Sequence, residues 1–191
     1  MPIEVDQEDR LARIADATIQ VARERGVRAV TIRAVAQQLG GSTAMITNYL
    51  PSRSTLIANA LRHAERDWSK ETEALLADRT GLDRVLVLAE WMCTTERDDA
   101  VMRRLLAEIV SEGDGSDAAA LAAELARDHR AALGALLADA GLADPAAADL
   151  LHLVFRGYWL STLEDPAHWP AARGAAAARA AVRLLAGGAP D

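Results

Sequence analysis

A stretch of 23 residues, TIRAVAQQLGGSTAMITNYLPSR (31–53), constrains this chain most, because its apolar spacing breaks in the middle and then restarts. Ile32, Val35, Ala36 and Leu39 recur at i, i+3, i+4 and i+7, one apolar stripe on a short helix. Thr31 stands at the N-cap, with Val30 and Val35 placed as a hydrophobic staple. Gly40 follows the last apolar residue, where a left-handed cap belongs. Ser42 then caps a second helix, predicted to turn Ala44, Ile46 and Tyr49 inward with Leu50, and Pro51 stops it. Two helices around a Gly-containing turn of about four residues have the geometry that seats the second helix in a major groove.

These residues resemble the DNA-binding segment of TetR-family transcriptional regulators. The pattern of that family runs roughly T-I-R-x-[IV]-A-x-x-x-G-V-S-x-G-x-[LI]-Y-x-Y-F-x-S-K-x-x-L. Thr31, Ile32, Arg33, Val35, Ala36, Gly40, Ser42, Ile46, Tyr49, Ser52, Arg53 and Leu56 carry the resemblance. The departures are Gly41 for Val, Ala44 for Gly, Thr47 for Tyr, Leu50 for Phe and Arg53 for Lys. The run STAMITNYL is also similar to the STGIISHYF of choline-responsive repressors, where the position of Thr47 is likewise small and polar. The resemblance implies an all-α fold, with a three-helix N-terminal helix-turn-helix head (residues 1–51) and a larger helical-bundle effector-binding and dimerisation domain (residues 52–191). It further implies a homodimer through the last two helices, about 145–186, a palindromic double-stranded DNA operator, repression by default, and release by a small-molecule effector.

A net charge of −7 looks wrong for a chain that binds a polyanion. The distribution resolves the conflict. Residues 10–63 hold eight arginines (10, 13, 23, 25, 28, 33, 53 and 62) against Asp16 and Glu24, a net of +6. Residues 1–9 carry −4 and residues 64–191 carry −9. A basic head on an acidic body orients a protein on DNA, because only the head gains from phosphate contacts and counterion release.

Each candidate DNA-facing residue has a separate task. Thr31 and Ser42, at helix starts, can pair with phosphates beside the free backbone N–H groups there. Arg33 can reach a phosphate or a guanine edge. Thr43, Met45, Thr47 and Asn48 are expected outward on the second helix, with Asn48 suited to an adenine edge and Met45 or the threonine methyls to a thymine methyl. Ala44, where the family has Gly, adds a methyl where the helix nears the groove. Tyr49 serves either as a core plug or as a phosphate-contacting hydroxyl. Arg53 stands where the family places a phosphate-anchoring lysine.

The remaining pattern is helical throughout, and no segment shows sustained strand alternation. Helices are expected over about 7–25, 52–78, 82–94, 98–111, 117–140, 145–164 and 170–186, divided by Gly26, Gly81, Thr94–Asp99, Glu112–Asp117, Gly141–Pro145 and Asp165–Pro170. With 191 residues and 51% hydrophobic content the chain can bury a real core. It holds no run of about eighteen apolar residues, so no membrane span is expected. The acidic N-terminus does not read as a signal peptide, and a single cysteine, Cys93, suits a reducing cytoplasm and reads as a small core residue.

On the penultimate helix, Leu150, Leu151, Val154, Phe155, Tyr158, Leu160 and Leu163 are too many for one stripe, so more than one partner must cover it. The run AARGAAAARAA (171–181) is small enough for close helix approach. Candidate effector contacts are Trp68, Trp91, Met102, His129, His152, Phe155, Arg156 and Trp159, aromatic and apolar surface with a few polar handles. Arg156 argues against a cationic effector such as choline and suits an acidic one. No cofactor is expected. The competing classes are a small helical enzyme and a helical interaction scaffold. For an enzyme, Asp149/His152 is the one tempting metal-ligand pair, and no glycine-rich phosphate loop, HExxH or nucleophile elbow appears. A scaffold leaves the basic head unexplained.

Overall fold

The computed structural model describes residues 3–93, 97–111 and 117–187; the expected breaks Thr94–Asp99 and Glu112–Asp117 lie largely outside these, with residues 97–99 and 117 already helical. Every regular element among the described residues is helical. They are α1 (Ile3–Arg25), a 3₁₀ turn (Val27–Ala29), α2 (Ile32–Gln38), α3 (Thr43–Thr47), α4 (Arg53–Leu76), α5 (Gly81–Trp91), α6 (Arg97–Ser111), α7 (Asp117–Asp139), α8 (Pro145–Glu164) and α9 (Ala171–Leu185). The expected helices agree to within a few residues, except that α1 begins earlier, at Ile3, and that residues 27–29 close a turn rather than a plain loop.

The described residues divide into two compact units. The first comprises Met1–Trp68 and Arg97–Ala123, the second Ser69–Glu96 and Glu124–Asp191. By compactness, therefore, α6 goes with the head and α4 runs from one unit into the other.

In the first unit α1 buries Ile14, Ala15, Ala17, Thr18, Val21 and Ala22. The one polar member, Thr18, donates its hydroxyl to the Ile14 carbonyl at 2.7 Å, which removes the cost of burying it. Gly26 ends α1 at φ +84°, a conformation that favours glycine, and the 3₁₀ turn follows. α4 starts with a reciprocal cap: Ser52 Oγ accepts from Thr55 N (3.1 Å) and Thr55 Oγ1 accepts from Ser52 N (3.0 Å). Asn59 Nδ2 then donates to the Leu11 carbonyl at 2.8 Å, tying α4 to α1.

In the second unit the core joins Val85, Ala89 and Cys93 to Leu133, Leu136 and Leu137 of α7, Ala147, Leu151, Phe155 and Tyr158 of α8, and Ala178 and Val182 of α9. Cys93 is a buried core thiol, as its setting in the sequence suggested. Gly174 lies flush under the Tyr158 ring, leaving no space for a β-carbon, and Tyr158 Oη donates to the Cys93 carbonyl at 2.8 Å. The small residues of α9 thus serve packing inside the chain along Gly174, Ala178 and Val182.

Candidate nucleic-acid interface

The helix-turn-helix is built by local hydrogen bonding. Thr31 has an extended backbone and its Oγ1 accepts from Ala34 N at 3.1 Å, capping α2. Val30 and Val35, the expected staple, are both fully buried. At the other end Gly40 N donates to the Gln37 carbonyl (3.1 Å) and Gly41 N to the Ala36 carbonyl (2.9 Å), a complete Schellman pair. Gly40 adopts φ +67°, which supplies the left-handed residue this cap requires.

α3 is only five residues long and fully buries one of them, Ile46. All of the rest but Met45 is available. Thr43, Ala44, Thr47 and Asn48 are exposed, as are Thr31, Arg33 and Ser42 beside them. Thr31 uses its oxygen as acceptor, so its hydroxyl proton remains to donate. Ser42 occupies the N-cap position of α3 but makes no side-chain cap bond, contrary to the expected capping role, and its hydroxyl stays uncommitted.

Three side chains depart from expectation. Ala44 and Tyr49 were expected inward, yet Ala44 is exposed and Tyr49 is 37% exposed. The reason is length: Ile46 and Leu50 alone fill the inner side of a helix this short. Met45, expected outward, is half-buried and folds back over the turn. A β-carbon at Gly41 would stand 2.5 Å from Met45 Cε, so the bare glycine leaves room for that position of the methionine.

Arg53 has partners that the sequence did not reveal. Its Nε donates to the Val30 carbonyl (3.0 Å), and one terminal nitrogen donates to the Val27 carbonyl (3.1 Å) and the Glu108 carboxylate (2.8 Å). The guanidinium therefore joins the start of α4, both ends of the 3₁₀ turn and α6 in one clasp. Glu108 was not among the candidate residues. Its partner lies 55 positions away, and no local pattern announces such a pair.

Of the candidate effector residues, the second unit gathers His129, His152, Phe155, Arg156 and Trp159. His152 Nδ1 lies 3.2 Å from His129 Nδ1, His129 stacks on Phe155, and the Arg156 guanidinium lies 4.9 Å above the Trp159 ring. Trp159 Nε1 donates to the Met92 carbonyl at 3.3 Å. Burial, then the charges of His152 and Arg156, push the His129 pKa down to about 4. Burial lowers that of His152 as well, helped by Arg156 and Arg130 and opposed by Asp149. Trp91 is half-buried in the same unit. Trp68 and Met102 belong to the first unit, where Met102 is buried. The suspected metal pair is otherwise engaged: Asp149 lies 3.8 Å from Arg130, and the described residues contain no group of three or more side chains suited to a metal ion.

No family model matches the chain. Over 80 residues it is 38% identical to the HTH-type transcriptional repressor KstR of Mycolicibacterium smegmatis, a stretch making up 41% of this chain and 39% of that protein. Over 74 residues it is 34% identical to the HTH-type transcriptional regulator BetI of Burkholderia cenocepacia, 38% of each chain. The match thus spans about two-fifths of these curated relatives' length. Solved structures match far more of the chain. One, classed with the TetR-family regulators of Rhodococcus sp., superposes with a TM-score of 0.76 at 15% identity, covering 93% of this chain and 98% of the other. Another, a transcriptional regulator from Saccharomonospora viridis in complex with choline, gives 0.74 at 18% identity, covering 90% and 94%. These relatives and structural neighbours are transcriptional regulators rather than enzymes. No helix among the described residues is long and apolar enough to cross a membrane. Over about two-fifths of its length the chain is thus similar in sequence to helix-turn-helix transcriptional regulators, and its fold is that of solved TetR-family regulators.

Proposed function

We propose that this chain is a cytoplasmic DNA-binding transcriptional regulator, acting as a dimeric repressor that holds a palindromic operator and is released by a small molecule. The observation that carries this reading is the surface of α3. A helix that buries only Ile46 and turns Thr43, Ala44, Thr47 and Asn48 to solvent gains nothing from those residues in the free protein. In a major groove they become base-edge contacts, with Arg33, Thr31, Ser42 and Tyr49 placed around them for phosphates. Arg53 acts from behind, bracing the 3₁₀ turn against α4 and α6 rather than lending its whole charge to a phosphate.

Dimerisation is supported by α8. Leu150, Leu153 and Leu160 are 47%, 65% and 57% exposed and recur, with Val154 and Gly157, at helical spacing on the side opposite its buried face. Leu184 of α9 is 58% exposed. A stripe of exposed leucines on a helix otherwise packed in a core asks for a cover, and a second copy supplies one by two-fold symmetry. Such a dimer holds its two α3 helices about one helical turn apart, roughly 34–36 Å, and so reads a palindrome. An effector bound in the second unit shifts this spacing only as far as it prefers one conformation over another. Repression follows the KstR relative, which is a repressor.

Selection of bound duplexes from a random pool tests the reading. Enrichment of a pseudo-palindrome, with preference relaxed at one position by Asn48→Ala, is the expected result. A pool that stays random after repeated selection contradicts it.

A further inference from the structure

We propose that the α7–α8 seam of the second unit binds the carboxylate of an amphipathic monocarboxylic acid, held by Arg156 and His129; this rests on the reading of the chain as an effector-controlled regulator. Three stripes divide α8. Ala147, Ala148, Leu151, Phe155, Tyr158 and Thr162 face the core, the exposed leucines lie opposite, and His152, Arg156, Trp159 and Leu163 form a half-buried flank between them. Its first member, His152, meets His129 of α7, and the Arg156 charge acts on His129 as well.

Two groups on this seam lack what their chemistry requires. Arg156 is half-buried, and burial alone lowers its pKa from the ordinary guanidinium range. No acidic side chain among the described residues pairs with it; its neighbours are the Trp159 ring and two histidines. Desolvating a cation without an anion is expensive, and proteins seldom retain the arrangement without a use for it. His129 Nε2 is buried with no hydrogen-bond partner. When His152 donates its Nδ1 proton to His129 Nδ1, the neutral His129 carries its own proton on Nε2, a buried donor without an acceptor.

A carboxylate answers both needs, accepting from His129 Nε2 and from the planar guanidinium fork. One uncompensated cation sets the ligand charge at one. The histidines are neutral at physiological pH, while Arg130 and Asp149 on the same two helices lie 3.8 Å apart and offset each other. A quaternary ammonium ligand would instead add a second cation beside Arg156. The apolar part of the acid is set by the half-buried Trp159, whose ring lies beside the Arg156 guanidinium.

The test titrates the full-length protein with octanoate and phenylacetate, each beside its neutral amide, and with choline, by calorimetry and tryptophan fluorescence. At least one acid is expected to bind tenfold or more tighter than its amide and than choline. Arg156→Gln should lose that preference with an unchanged or raised melting temperature, because an unpaired half-buried charge is gone; Arg156→Lys should keep part of it. Equal binding of acid and amide, tighter choline binding, no binding by either acid, or full acid binding by Arg156→Gln each overturns the proposal. If neither acid binds while a selected duplex is still held, this inference falls and the regulator reading stands. If an acid binds through Arg156 but no duplex is ever preferred, the site stands and the regulator reading falls.

Discussion

α3 and α8 are both helices of one chain, and they solve opposite problems. α3 has five residues and fully buries one; α8 has twenty and buries Ala147, Ala148, Leu151, Phe155, Tyr158 and Thr162. A helix as short as α3 cannot hold itself together in water. It is ordered from outside, by the Gly40–Gly41 turn before it, Ile46 beneath it and Leu50 after it. Because its surface contributes almost nothing to folding, that surface is free to be chosen for a partner. α8 has no such freedom. One side is core, the opposite side is an exposed apolar stripe, and the flank between holds the histidines and Arg156. Stability and function are separable in the head and entangled in the second unit.

Substitutions should reproduce this division. Phe155→Ala, at the fully buried centre of the α8 core, is expected to cost about 3–5 kcal/mol in urea unfolding. A loss below about 1 kcal/mol would mean that the inner face of α8 is not a packed core. Acid should act on the same region. His129, with its pKa depressed to about 4 in the fold, takes up a proton less readily there than in the unfolded chain. Its stabilising contribution is complete above about pH 6.5 and is lost as the pH falls toward 4, by at most about 3 kcal/mol. Comparing wild type with His129→Phe across that range isolates the effect; identical pH profiles would place His129 in an ordinary solvated setting.

In the head, Arg53→Ala should cost about 1–3 kcal/mol, since it removes the donor to the Val30 carbonyl and to Glu108 and leaves the Val27 carbonyl only the Val30 N–H. Arg53→Lys should restore little, because one ammonium cannot reproduce the fork. If Arg53→Ala leaves the melting temperature unchanged and only flattens the salt dependence of DNA binding, the residue is a phosphate anchor and not a brace. The smallest effect is expected at Asn48, where Ala should change stability by less than about 0.5 kcal/mol while relaxing base preference. A large loss of stability there would erase the contrast between α3 and α8.

The head was legible in sequence because its determinants are local. Thr31, the Gly40 turn and the Ile32–Leu39 stripe each act within four residues, and all three appear in the structure as hydrogen bonds or burial. The orientations within α3 were less legible, since a five-residue helix lacks a full apolar stripe, and Met45 bends according to what Gly41 leaves open. Helix positions in the second unit followed from spacing, and the surplus of apolar residues on α8 appears as one buried face and one exposed stripe of leucines. The Arg53–Glu108 clasp and the His129–His152 pair were out of reach, because they join residues 55 and 23 positions apart through tertiary packing. His129, His152 and Arg156 could be singled out only as polar residues in an apolar pattern.

The central claim is that exposed residues of α3 read sequence while the basic head holds the phosphates. Its most direct test is the affinity for a selected duplex and for a scrambled duplex of equal length and composition, measured across a range of salt. Affinity should fall steeply with salt for both, with the selected duplex bound on the order of a thousandfold or more tighter at physiological salt. Equal affinity for the two duplexes at every salt concentration would contradict it.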